Sequence, residues 1–140
     1  SLTQQEQTMK SWMDTTIAAS LGLSILSVAA LPAAAQSGDA SRGQRVFNQQ
    51  CRACHTLDKG GAQTAGPNLH GLFGRKAGTA EGYAFSDAMK ASGIVWDDTT
   101  LAEYNRDPKG KVPGTKMVFN GVKQAPQLAD LVAYLKEATK

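Results

Sequence analysis

The sequence predicts a small all-α domain whose helices are separated by long loops. Apolar residues recur at helical spacing behind residues that cap helices well. No stretch alternates apolar and polar residues over the length of a strand. Glycine and proline punctuate the intervening segments. At 140 residues the chain is one domain's worth.

The elements follow in order. Ser37 and Asp39 can cap a first helix that runs to about Cys51, with Val46, Phe47 and Gln50 on one side. Residues 56–79 read as loop, broken by Gly60, Gly61, Gly66, Pro67, Gly71, Gly74 and Gly78. Ser86 can cap a short helix ending at Gly93, and Asp97 or Asp98 another that Pro108 stops. Residues 109–124 read as loop again. A last helix opens with Pro126 in its first turn and carries Leu128, Leu131, Val132 and Leu135 at helical spacing. Loops this long in a small domain make sense if they wrap something.

Residues 1–35 differ in character from the rest. Lys10 precedes an uncharged run from Ile17 to Leu31, Pro32 breaks that run, and Ala33-Ala34-Ala35 offers an A-x-A cleavage site before Gln36. That is the layout of a secretory signal peptide, and the run is short for a membrane span. An uncleaved anchor is the alternative. Ser1–Thr8 lie upstream of the plausible start at Met9. The expected division is a leader over residues 1–35 and a domain over 36–140. Export places that domain in an oxidising periplasm, where two unprotected thiols would not persist.

Composition narrows the function. Aromatics make up 6% and glycines number 14, so the native core is small and a bulky buried cofactor would help the fold. A net charge of +3 is too weak and scattered for nucleic-acid binding. It fits transient docking on acidic partner surfaces.

The decisive stretch is "CRACH", Cys51 to His55, which holds both cysteines of the chain. A Cys51–Cys54 disulfide of the thioredoxin kind belongs at a strand-to-helix junction in a βαβ pattern, which is missing here. A structural zinc needs four ligands, and beyond Cys51, Cys54 and His55 only His70 and carboxylates remain. Covalent haem attachment fits best: two cysteines two residues apart can form thioethers with the two vinyl groups, and His55 then falls beneath the iron. Candidates for the opposite axial face are His70, Met89 and Met117. Met117 lies in the Pro-Gly-rich loop "KVPGTKMVF", far in sequence from His55. Met89 sits on a short helix and reads as core, and His70 as an ordinary surface histidine.

The motifs "CHTLDKGG", "GPNLHGLFGRKAG", "GYAFSDAMKASGIVW", "PGTKMVFNGVK" and "ADLVAYLKEATK", in this order, resemble the class I cytochromes c, closest to the mitochondrial cytochrome c and bacterial cytochrome c2 group. The resemblance covers Asp39 to Lys140. It implies the small class I cytochrome c fold, with crossing N- and C-terminal helices and long loops around one covalently bound haem c. It further implies thioethers at Cys51 and Cys54 and axial ligation by His55 and Met117. Pro67 would accept from the proximal imidazole, and Tyr104 would lie near the methionine sulfur. Arg75 and Trp96 would bind the buried propionate, and Thr115 would line the distal side. Gly43, Phe47, Leu131 and Tyr134 would form the helix crossing. Singly, Tyr104 and Trp96 would read as core aromatics and Arg75 as a surface charge.

Three departures stand out. Phe85 replaces a usual tyrosine, and Met89 a usual asparagine. Gln50, Gly110 and Lys111 thin the usual lysine cluster.

With both axial positions filled, no place remains for a substrate, so the expected role is outer-sphere electron transfer and not catalysis. The shuttle would run from a quinol-oxidising bc1-type complex to a terminal oxidase or photosynthetic reaction centre. A monomer would dock through Lys59, Lys76, Lys109, Lys111, Lys116 and Lys123. The alternatives are a peroxidase-like protein that loses Met117, and a membrane-tethered carrier that keeps its N-terminal segment.

Overall fold

The computed structural model describes residues 37–140. The leader or anchor expected over residues 1–35 lies outside them. Five helices follow one another: α1 (Ala40–Gln50), α2 (Asp87–Ala91), α3 (Asp98–Arg106), α4 (Pro108–Lys111) and α5 (Ala125–Ala138). Among the described residues the only strand-like pairing is a single antiparallel bridge between Lys76 and Val95.

Local chemistry sets the helix starts. The Asp39 carboxylate accepts from the Arg42 amide, so Asp39, and not Ser37, caps α1. Ser86 caps α2 by accepting from the Met89 amide. At α3, Asp97 accepts from the Thr100 amide while the Thr100 hydroxyl accepts from the Asp97 amide, a reciprocal box. Residues 109–124, expected as loop, begin with the short helix α4. Pro108 does not simply end α3. It opens α4 at a position where its missing N–H costs nothing, and the Asp107 carboxylate accepts from the Gly110 amide.

The first and last helices pack together because α1 is thin where they meet. A Cβ added at Gly43 would run into the Asp130 carbonyl and come within 2.7 Å of the Tyr134 Cβ. Phe47 stacks obliquely on Tyr134, with ring centroids 5.6 Å apart. Leu131, at 0% exposure, is the most buried apolar residue of the crossing. Asp130, buried on α5, accepts from the Asp39 amide at 2.7 Å and from the Arg42 guanidinium at 2.8 and 2.9 Å, tying the start of α1 to α5.

Two apolar clusters complete the core. One joins α1 to α5 through Val46, Phe47, Cys51, Leu128, Leu131 and Leu135. The other gathers Leu72, Met89, Trp96, Leu101, Tyr104 and Val112 from α2, α3 and the loops. Leu69, Phe73 and Ala102 pack against both. Between these clusters the loops leave a cavity.

Candidate functional site

The cavity has a volume of about 250 Å³. Its wall includes every residue predicted for the site: Cys51, Cys54, His55, Pro67, Arg75, Trp96, Tyr104, Thr115 and Met117. These come from five separate parts of the sequence, so the fold is what brings them together.

The proximal side is built on the end of α1. Past Gln50 the chain turns, with the amides of Cys54 and His55 both donating to the Cys51 carbonyl at 3.0 and 3.1 Å. Cys51 is buried, Cys54 is exposed, and the two thiols are not joined. Burial first, and the Cys54 thiol second, push the Cys51 thiol up to about 11. A redox-active Cys-x-x-Cys needs the opposite shift, so the pair is not built as a thiol–disulfide couple. Among the described residues no three of His, Cys, Asp and Glu come together as metal ligands, which leaves structural zinc without a site.

His55 Nδ1 lies 2.8 Å from the Pro67 carbonyl oxygen. A carbonyl can only accept, so Nδ1 carries the proton and Nε2 keeps its lone pair. Burial lowers the His55 pKa, outweighing the upward pull of that hydrogen bond, so the ring is neutral at pH 7. Gly66 leaves room for the ring: a Cβ there would sit 2.8 Å from Nδ1 and closer still to Cε1.

Arg75 and Trp96 are placed side by side by backbone pairing, with the Trp96 amide donating to the Arg75 carbonyl at 3.0 Å and the Gly74 amide to the Trp96 carbonyl at 2.8 Å. The Arg75 guanidinium is half-buried and donates to the His70 carbonyl at 2.7 Å. Burial lowers its pKa, and among the described residues no carboxylate pairs with it.

The distal side is carried by the loop after α4. The Tyr104 hydroxyl pairs with the Thr115 hydroxyl at 2.7 Å, and the Met117 amide donates to the same Thr115 oxygen at 3.3 Å. Burial is the main cause of a raised Tyr104 pKa. The loop is closed at its base by the Val122 amide on the Asn105 carbonyl at 2.8 Å and by Lys123 on the Arg106 carbonyl at 2.7 Å. Lys116 reaches across to the Ala84 carbonyl at 2.7 Å.

Met89 is buried in the core, as expected, and also lines the cavity. His70 is half-buried and outside the cavity wall. Asn68 was not foreseen. It is buried, donates to Thr56 Oγ1 and the Asp58 carbonyl at 2.8 and 2.9 Å, and so braces the loop that holds Pro67. The expected cationic ring is altered, because Lys111 pairs with Glu103 at 2.5 Å.

The set fits a haem bound through its edge. Two unjoined cysteines and a neutral imidazole stand at one side, a thioether stands on another loop, and a half-buried guanidinium has no carboxylate partner. Residues 40–139 match the model of the family described as Cytochrome c. The chain belongs to the cytochrome c family. Cytochrome c2 of Blastochloris viridis is 52% identical over 116 residues, 83% of this chain and 89% of that protein. Cytochrome c of Gibberella zeae is 52% identical over 103 residues, 74% of this chain and 97% of its own. Cytochrome c of Theileria parva is 54% identical over 102 residues, 73% and 88% of the two chains. The cofactor of this cytochrome c domain is covalent haem c, for which Cys51 and Cys54 have the required spacing. The protein is a haem electron carrier, not an enzyme, and the all-α class I fold stands as expected. No helix among the described residues is long and apolar enough to cross a membrane.

Proposed function

We propose that this cytochrome c is an exported shuttle carrying single electrons from a quinol-oxidising bc1-type complex to a terminal oxidase or photosynthetic reaction centre. Cys51 and Cys54 would hold the haem by thioethers, with His55 Nε2 and the Met117 sulfur as axial ligands. The observation that carries this reading is the imidazole fixed by Pro67 in the same cavity as Met117. Bound haem c supplies a one-electron iron couple, and a methionine ligand raises its potential into the range of an acceptor from quinol oxidation.

The protein's own groups would then do the following. Pro67 orients the imidazole and keeps its proton on Nδ1. Arg75 and Trp96 offset the charge of a buried propionate. The Tyr104–Thr115 hydroxyl pair braces the Met117 loop. With both axial positions occupied, the cavity offers no open coordination position to a substrate, which favours carriage over peroxidase chemistry. Export rests on the A-x-A site at Ala33–Ala35 and on the likeness to a cytochrome c2. The exposed lysines favour docking on acidic partners, with rates that fall as salt rises.

Reduced-minus-oxidised spectra of native protein mixed with a bc1-type complex and quinol, and then with a terminal oxidase, test the proposal. Rapid reduction and reoxidation, both slowed by salt, are expected. Inertness toward both complexes would refute it.

A further inference from the structure

Val118 follows Met117 directly and is 94% exposed, while the other large exposed hydrophobic residue, Val95, is 49% exposed. It forms part of the cavity wall and stands at the mouth. A valine this bare on a loop braced at several points is costly in water unless something covers it during function.

Its charged neighbours indicate what covers it. Lys116, next in the chain and also on the wall, is held by its bond to the Ala84 carbonyl, so its ammonium is already ordered before any partner arrives. That bond is to a neutral oxygen and leaves the charge uncompensated. Lys76, exposed on the same wall, sits on backbone paired with Val95 and has no carboxylate partner among the described residues. Lys111, by contrast, is paired with Glu103 and offers little net charge. The mouth therefore presents one apolar point beside two uncompensated cations, one of them pre-ordered. An apolar centre within a charged rim is the general anatomy of a protein interface.

We infer that Val118 is the apolar anchor of the docking surface, seated against an apolar side chain of a redox protein whose carboxylates face Lys116 and Lys76. This rests on the shuttle reading above. Charge complementarity governs encounter and its salt dependence, whereas the apolar contact governs how long and in what pose the complex persists. The two contributions are separable by experiment. No bond forms or breaks at Val118; one electron crosses the interface it helps to align.

The test uses holoprotein carrying V118S or V118L, with a purified terminal oxidase as the protein partner and a small cationic cobalt(III) complex as an oxidant too small to need the surface. V118S is expected to raise KM for the oxidase about tenfold at every ionic strength, the effect of withdrawing a valine from contact. The slope of log rate against ionic strength, the haem potential and the cobalt rate stay as in the wild type, and V118L restores KM. K116Q is expected to change the slope instead. An unchanged KM in V118S overturns the inference. So does a parallel change in the cobalt rate or potential, which would mean that Val118 acts by covering the haem. Loss of binding to anionic phospholipid vesicles with oxidase kinetics intact would assign the patch to a lipid surface and overturn it as well. A wild type that the oxidase cannot oxidise sinks the shuttle reading and this inference with it.

Discussion

The Nδ1 atom of His55 and the carbonyl oxygen of Pro67 stand 2.8 Å apart, and Gly66 lies against the ring they hold. The orientation of the imidazole is therefore decided by two loop residues that never touch the iron. Replacing Gly66 with alanine would place a methyl 2.8 Å from Nδ1 and 2.9 Å from the Cys54 carbonyl. Since overpacking of this kind costs about 1–3 kcal/mol, G66A should lower the thermal midpoint of the holoprotein and tilt the ring. Visible absorption in the ferric state reports the second effect, and a wild-type spectrum and midpoint would contradict it.

At the helix crossing, Gly43 meets the Asp130 carbonyl and the Tyr134 Cβ. Alanine has the better helix propensity, by about 1 kcal/mol, so propensity alone predicts that G43A is stabilising. The contact predicts the reverse. We expect a net loss of about 1–3 kcal/mol in urea denaturation, because neither backbone can move without separating α1 from α5.

Asp130 gives a pH prediction. The Arg42 side chain first, and the Asp39 amide second, hold its carboxyl below the usual carboxylate range. A depressed folded value stabilises the protein above the unfolded carboxylate pKa of about 3.9, and that stability is lost as pH falls through the folded value. Arg42 is more than half exposed, so solvent screening reduces its contribution. D130N should cost about 1 kcal/mol near pH 7, and the gap from wild type should close below about pH 4. Urea midpoints at several pH values measure this directly.

Phe85 lines the cavity and meets Tyr83 edge-on, with centroids 4.8 Å apart. Restoring a hydroxyl with F85Y adds a donor to an apolar wall and changes the hydrogen bonding around the haem. The reduction potential should shift, because such hydrogen bonds are one of the levers that set it. Equilibrium redox titration of both proteins checks this, and equal potentials would contradict it.

Much of this was legible in the sequence because it is local. Ser86 and Asp97 cap their helices with atoms only three residues away, and Leu128, Leu131, Val132 and Leu135 reveal their buried face by spacing alone. The cavity residues were legible through the resemblance, not through any property of each residue taken singly. What escaped depended on distance or competition. Pro108 reads as a stop, yet Asp107 recruits it into α4. Asp130 looks like a surface acid until Arg42, eighty-eight positions away, folds back onto it. Asn68 looks like a turn residue, and its buried bracing role depends on Thr56 and Asp58 curling around it. Lys111 reads as a free cation until α3 presents Glu103.

The most direct test of the central claim, that Cys51 and Cys54 fix the haem to the chain, is acid–acetone extraction of the native protein. The account predicts that the pigment stays with the precipitated polypeptide and raises its mass by one haem. Colour passing into the organic phase, leaving two free thiols behind, would contradict it.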